Sequence, residues 1–432
     1  MKVVKYFLTG LGILFLLPVL LISLMLIYWD LRSPPPLEFD PILKLENNVA
    51  VPHGTDSKTL HKSNTDMIFY EGSFFLIHAQ TKWHLEDKNG ALIVQRSDDA
   101  VSWVEVASIT VPDTDVRDPK FAVINGRLFV YFLPNLQFDP EPMTTYWTVS
   151  DDGVNWETPK ELNTITVVDR RGDGTTGKVA CAGWNMWRPK TRDGRTWYVM
   201  ASGDKKRMDA GVEYGGKIEG EDVEDEDTTH MIVLLRSTDG INWEEVSEVY
   251  VARGVFEPCM EFLPDGRIIS AIRCSSLGTG GYAFGNPTAN TIIAVSSEPY
   301  KEWKYSYSFI TRLDGATLFP LNGRIFAVGR NHMGPRFDMG NHLATKRTAF
   351  YEVKEEALVF LFDLPSNGDT SYTGVVRRGD DIYASYYTCP VDKDYPWVVG
   401  VCFFPKTEIR VVKLSAGGLL EYADRVKASG GE

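Results

Sequence analysis

Ser97-Asp98-Asp99-Ala100-Val101-Ser102-Trp103 recurs as Ser150-Asp151-Asp152-Gly153-Val154-Asn155-Trp156 and again as Ser237-Thr238-Asp239-Gly240-Ile241-Asn242-Trp243. A worn copy runs from Ser297 to Trp303. The Ser-to-Trp spacing is the same in the three full copies, and each follows a β-rich run such as Ala91-Leu92-Ile93-Val94. The pattern describes a tight turn between strands: Ser and Asp side chains bond the turn backbone, Gly supplies a positive φ, and Trp packs back underneath. Self-similarity of this kind is the signature of a repeat architecture, and it bears on fold rather than on chemistry.

A second element recurs between these turns. Phe121 to Val130 carries Asn125-Gly126 between two apolar runs, Phe262 to Ile269 carries Asp265-Gly266, and Leu321 to Phe326 carries Asn322-Gly323. Asn-Gly and Asp-Gly flanked by apolar residues are the strongest short hairpin signals. Similar hairpins start near Asp66, Trp187 and Tyr372, which gives six units near residues 64, 117, 187, 257, 314 and 370. The expected fold is all-β: a six-bladed propeller of four-stranded blades around a central channel. Residues 40–60 are expected to close the ring by completing the last blade. The third unit is interrupted by Gly216 to Thr229, rich in Asp and Glu. That stretch reads as a solvated loop, with a structural calcium site as the alternative, since clustered carboxylates suit a hard cation.

Composition agrees with an all-β chain. Of 432 residues 12% are aromatic and 37 are glycine. The net charge of −13 leaves no basic footprint, which excludes nucleic acid as a partner. Five cysteines, Cys181, Cys259, Cys274, Cys389 and Cys402, fit no zinc spacing and read as small buried residues. Cys389 and Cys402 flank a hairpin, where an oxidising compartment would allow one disulfide. Residues 6–29 contain no charged side chain, are preceded by Lys2 and Lys5, and are followed by Ser33-Pro34-Pro35-Pro36. This reads as an uncleaved, single-pass membrane anchor with a cytoplasmic N-terminus at 1–5. A stiff linker at 30–40 would follow, then a propeller at 41–420 outside the cytoplasm and a flexible tail at 421–432.

In a propeller the innermost strand of each blade starts at one mouth of the channel, so residues before each hairpin converge. Those positions read Asn64-Thr65-Asp66, Arg117-Asp118-Pro119, Trp187-Arg188-Pro189, Glu257-Pro258, Asp314-Gly315 and Asp369-Thr370-Ser371-Tyr372. Arginines and carboxylates are costly to bury without a partner or ligand, so the set marks a pocket or a network of paired ions between blades.

The Ser-to-Trp turns resemble the Asp-box of sialidase-type propellers. Phe256-Glu257-Pro258, followed by Leu263 to Arg267 and then Ala271-Ile272-Arg273, resembles the sialidase segment with a catalytic Glu and a carboxylate-binding Arg. Ser371-Tyr372, with a hairpin ending in Tyr386-Tyr387, is similar to the segment holding the nucleophilic Tyr, and Asp314-Gly315-Ala316 with Arg330 resembles the next blade. The match spans residues 60 to 390. The resemblance implies a glycoside hydrolase in which Glu257 deprotonates Tyr372 and Tyr372 attacks the anomeric carbon. The candidate catalytic residues are therefore Tyr372, Glu257, Asp66 and Asp118, and the candidate substrate-binding residues Arg117, Arg188, Arg273, Arg330, Trp187, Asp314, Asp369 and Tyr387. No metal ligand and no cofactor is implied, and the implied partner is a carbohydrate. Sialidases open with an Arg-Ile-Pro segment, and here the stretch reads Asn64-Thr65-Asp66-Met67, so the first Arg of their triad is missing. Arg117 and Arg188 are the alternative anion clamp, and His84, Glu86 and Asp87 the candidates for the acid/base. A non-catalytic carbohydrate-binding or envelope scaffold and a polysaccharide lyase remain as alternatives, because the fold does not fix the activity.

Overall fold

The computed structural model describes residues 2–56, 58–84, 87–135, 144–162, 165–168, 178–180, 184–204, 229–274, 290–333 and 344–428. They form six sheets that follow one another as blades. Blade 1 is His61–Tyr70, Ser73–Thr81, Ala91–Ser97 and Val104–Ile109, inner to outer. Blade 2 starts with Asp115–Ile124, blade 4 with Val255–Phe262, blade 5 with Thr317–Leu321 and blade 6 with Thr370–Arg378. Inner strands of neighbouring blades pack together, as in blades 1 and 2 and in blades 4, 5 and 6, and the strands of blades 6 and 1 meet to complete the ring. The outermost strand of blade 6 is Glu46–Val51, paired antiparallel to Glu408–Ser415, so the N-terminal strand closes the ring as expected.

Blade 3 departs from the expected four strands. Its inner strand is split into Asn185–Met186 and Lys190–Thr191, both paired with Trp197–Asp204. On its outside Ile165–Val168 pairs in parallel with Trp243–Arg253 and carries Lys178–Ala180 beyond it. The acidic carboxylates Glu219 to Asp227, and with them the calcium alternative, lie outside the described residues.

The three Ser-to-Trp segments adopt the same turn. In the third, Asp239 Oδ1 accepts the N–H groups of Ile241 and Asn242, both at 2.8 Å, and Trp243 Nε1 donates to Gly240 O at 3.0 Å. Asp152 and Asp99 accept from their own turns in the same way. The turns also latch neighbouring blades: Tyr131 of blade 2 donates its hydroxyl to Gly240 O at 2.7 Å, and Tyr70 of blade 1 donates to Asp151 O at 2.9 Å. Between blades 2 and 3 the space fills with Trp184, Trp197, Trp243 and Tyr131.

Three sequence expectations are corrected. Cys259, Cys274, Cys389 and Cys402 are all free thiols, so the Cys389–Cys402 disulfide does not form; Cys389 is buried and Cys402 exposed. Residues 421–428 are not a loose tail but part of a helix, Ala416–Ala428, whose Leu419 and Ala423 are buried in the core shared by blades 5 and 6. The N-terminal segment forms a helix, Lys2–Leu31, interrupted in sequence by Pro18. Among the described residues no helix is long and apolar enough to cross a membrane, which overturns the single-pass anchor at 6–29 and the localisation and membrane partnership built on it. The end of the N-terminal helix is instead docked on the body: Leu26 and Trp29 pack near Cys389, Tyr395 and Val399, and Arg32 pairs with Asp394 at 2.9 Å.

The latching turns make a stability prediction. Gly240 has φ +79°, and a Cβ there would lie 2.7 Å from Ile124 Cδ1 and 2.8 Å from Tyr131 Oη. Gly240→Ala should therefore destabilise the fold by about 1–3 kcal/mol through crowding and backbone strain. Urea unfolding of the variant beside the wild type measures this, and an unchanged midpoint would contradict the latch.

Candidate functional site

The side chains at the channel mouth are aimed by a repeated backbone irregularity. The ladder between the first two strands slips between Ser63 and Asp66, between Arg117 and Lys120, between Phe256 and Cys259, and between Ser371 and Gly374. The residue at each slip is left-handed: Asn64 at φ 53°, Asp118 at 51°, Glu257 at 47° and Tyr372 at 48°. A bulge of this kind turns a side chain away from the pleat, and here it turns four polar ones toward a common space. Proline follows the polar residue in Asp118-Pro119, Arg188-Pro189 and Glu257-Pro258, where the broken ladder needs no N–H.

Tyr372 and Glu257 meet across this space. The Tyr372 hydroxyl donates to Glu257 Oε1 at 2.5 Å. Arg273 pairs with the same oxygen, and the Gly315 N–H donates to Glu257 Oε2 at 2.6 Å. Gly315 must be glycine: its φ is +59° and a Cβ would lie 2.6 Å from the Tyr372 ring. Burial, with Glu257 and Asp118 nearby, pushes the Tyr372 hydroxyl well above its ordinary value, so it is protonated and needs a base to act. Trp187 is a wall rather than a platform: it is buried, with its ring centroid 6.3 Å from that of Tyr372.

Asp314 is the second centre. It is fully buried and accepts from Arg312 Nε at 2.8 Å and Nη2 at 2.9 Å, from Arg330 Nη1 at 3.2 Å and from His332 Nε2 at 2.8 Å. Arg273 Nε stands 3.3 Å from its other side. Burial alone would raise this carboxyl, but Arg273, Arg312 and His332 outweigh it and hold Asp314 well below the usual carboxylate range. Asp314 is thus a buried anchor for a cluster of guanidinium groups. Arg330 also donates to Thr370 O at 2.8 Å and to the Tyr387 hydroxyl at 3.2 Å, and lies over the Tyr372 ring at 5.4 Å. The Tyr387 hydroxyl in turn donates to Asp369 Oδ1 at 2.8 Å.

Other expected residues are placed elsewhere. Asp66 is held between blades: its Oδ1 accepts from Met67 N at 2.7 Å and from Arg188 at 2.5 Å, and its Oδ2 from Phe121 N at 2.7 Å. Arg188 also reaches Thr317 Oγ1 at 2.5 Å. Both line a cavity of about 360 Å³ with Lys190, Glu261 and Phe319, whose lining includes neither Glu257 nor Tyr372. Arg117 is paired with Asp115 at 2.7 Å. Asp118 accepts from Asn64 Nδ2, and burial raises its carboxyl despite Lys120 beside it. Among the acid/base candidates, Asp87 staples its own loop by accepting from Lys82 N at 2.8 Å, His84 turns to Asp369, and Glu86 lies outside the described residues.

The sequence reading missed Arg312, His332, His61 and Lys120. Arg312 and Asp314 sit two residues apart, as do Asp115 and Arg117, and period-two alternation along an extended chain is the signal that pairs them. Lys120, two residues after Asp118, is 2% exposed, with its ammonium 4.3 Å from the Trp187 ring centroid.

Burial lowers Lys120 to about 8, with Asp118 the main opposing influence. The folded chain therefore gives up this proton before the unfolded chain does, and stability should rise with pH between about 8 and the ordinary lysine value. Lys120→Met removes that dependence. Unfolding free energies at several pH values should show the wild type gaining on the variant from pH 8 upward; parallel curves would count against a buried, titrating Lys120.

No family model and no curated protein matches the sequence. Solved structures do match. The chain is similar to a protein of unknown function from Dyadobacter fermentans, with a TM-score of 0.55 and 14% identity over 86% of this chain and 98% of that one. It is similar to Trypanosoma rangeli sialidase in complex with sialic acid, with a TM-score of 0.57 and 11% identity over 92% of this chain and 62% of that one. It is also similar to the phage phi92 endosialidase, at 0.58 and 9% over 86% and 69%. The chain thus spans less than two thirds of the trypanosomal enzyme. At these identities the likeness establishes the fold, a sialidase-like six-bladed propeller, and nothing finer.

Proposed function

We propose that this propeller is a glycoside hydrolase acting on an acidic glycan, with Tyr372 as nucleophile and Glu257 as its base. The observation that carries the reading is the 2.5 Å hydrogen bond from the Tyr372 hydroxyl to Glu257, made across the channel by residues of two different blades. A buried phenol needs such a partner to become a nucleophile, and a neutral phenol approaches an anionic sugar without repulsion. Arg273, Arg312 and Arg330 form the anion clamp in this reading: all three contact Asp314, which fixes their planes, and Arg312 supplies the third guanidinium that Asn64 does not. The repeated Ser-to-Trp turns, read as Asp-boxes, and the sialidases among the similar structures support the same class. Asp118, raised by burial and facing the pocket beside Asn64, is the proposed acid/base. Asp66 and Arg188 act in this reading by holding blades 1 to 3 in register.

Carbohydrate binding without turnover is the second reading, favoured by one observation: the arginines are already paired with carboxylates. The same experiment separates the two. The purified chain is assayed on acidic glycans and on aryl glycosides of acidic sugars. Hydrolysis is expected, falling on the order of 10²–10⁴-fold in Tyr372→Phe and in Glu257→Gln. The double variant should be little worse than either single, since the pair works as a unit. Unimpaired turnover by Tyr372→Phe would remove the nucleophile; glycan binding without turnover in the wild type would leave the binding reading.

A further inference from the structure

At the seam where blade 6 meets blade 1, three chemistry-bearing side chains face one another. His61 opens the inner strand of blade 1, His84 follows its second strand, and Asp369 immediately precedes the inner strand of blade 6. Their ligand atoms lie within 4.8 Å of one another. His61 and Asp369 are buried to 1% and 0% exposure, while the His84 side chain keeps 22%.

The hydrogen bonds decide which atoms are available. His61 Nδ1 lies 3.3 Å from Pro405 O, which can only accept. Its other neighbour, Thr407 Oγ1 at 3.4 Å, already donates its own proton to Lys62 O at 2.7 Å and so also accepts. The proton of a neutral His61 is therefore on Nδ1. That leaves a lone pair on Nε2, a buried atom with no hydrogen-bond partner among the described residues. This lone pair points at Asp369 Oδ2, 3.6 Å away, itself an acceptor. Two acceptors facing each other in a buried site repel unless something electropositive lies between them.

Asp369 is oriented for this. Its Oδ1 is fixed by the Tyr387 hydroxyl at 2.8 Å and Trp397 Nε1 at 3.1 Å, so Oδ2 is the oxygen turned to the histidines. A ligating imidazole whose second nitrogen bonds a backbone carbonyl, and a ligating carboxylate whose second oxygen is held by outer donors, are the usual supports of a metal centre. Two imidazoles and a carboxylate suit zinc and its first-row neighbours rather than calcium or magnesium.

We propose that His61 Nε2, His84 and Asp369 Oδ2 bind a divalent transition metal of the zinc type, which clips the last blade to the first. The separation of His61 Nε2 from Asp369 Oδ2 matches two ligands ~2.0–2.2 Å from one tetrahedral ion. His84 Nδ1, at 2.6 Å from Oδ2, moves outward on ligation, which its partial exposure permits. Remaining coordination falls on the partly exposed His84 side. The site does not depend on the hydrolase reading.

The test uses the full chain, stripped with chelator and titrated with Zn²⁺ alone and Co²⁺ alone. One equivalent of Zn²⁺ should bind and raise the melting temperature, because an ion bound only by the folded chain stabilises it. His84→Ala should weaken binding more than about 100-fold, since even outer-shell losses weaken metal binding about 10–100-fold. His84→Cys should retain the metal and give Co²⁺ a sulfur-to-metal absorption band that the wild type lacks. His84 is the partly exposed ligand, so both variants should fold; His61→Gln is read beside them. The proposal is overturned if Zn²⁺ does not bind, if His84→Ala binds it as the wild type does, or if the cysteine variant binds Co²⁺ without the band.

Discussion

The bulge at the mouth of four of the inner strands is the constraint on which the site depends. A regular strand would send Asn64, Asp118, Glu257 and Tyr372 along the pleat, into the packing between blades. Left-handed backbone at these four positions, which glycine would adopt freely, costs of order 1–3 kcal/mol each. What holds it is polar pairing across the channel: Glu257 is bound by Tyr372, Arg273 and the Gly315 N–H, and Asp118 by Asn64. The strain and the pairing sustain one another, because the Glu257–Tyr372, Glu257–Gly315 and Asp118–Asn64 pairs each join two blades and neither partner can relax alone.

Electrostatics organise the rest. Asp314 and Asp369 are the fully buried carboxylates of blades 5 and 6, and each gathers cationic or proton-donating side chains from its neighbours. Arg330 links the two, touching Asp314 at 3.2 Å and standing 3.7 Å from Asp369. Removing one member of such a buried network leaves an uncompensated charge, which is why these carboxylates serve structure and pocket together. Lys346, buried with its ammonium 4.3 Å from the Trp397 ring centroid, is driven well below the usual lysine range by that burial and by Arg330 and Arg312.

The propeller was legible in the sequence because its signals are local. A Ser-to-Trp turn or an Asn-Gly hairpin is complete within ten residues, and six strand starts followed by counting. The position of Glu257 and Tyr372 at those starts was legible for the same reason. His61 and Lys120 were not, since their partners Asp369 and Trp187 lie far off in sequence and are brought near only by the neighbouring blade, while Arg312 showed itself only through its two-residue spacing from Asp314. Asp66 and Arg188 had the right residue types at the right starts, yet the ladder carries them past the bulge to bond each other. The helix Ala416–Ala428 was hidden by Gly417-Gly418, although Leu419 and Ala423 already stood four residues apart. The apolar N-terminus was read by composition alone, which does not register the docking of Leu26 and Trp29 on the body.

Closure by Glu46–Val51 also sets a timetable. This strand leaves the ribosome before any blade, yet its partner Glu408–Ser415 is the last strand to be made. Until blade 6 is made the first blade lacks a neighbour on one side, and until Glu408–Ser415 follows the N-terminal strand has nothing to pair with. Contacts so remote in sequence fold slowly, and the waiting edges are open to other chains. The nascent protein is thus exposed for nearly its whole synthesis, and a chaperone that shields strand edges would act on it longest at the seam between blades 6 and 1.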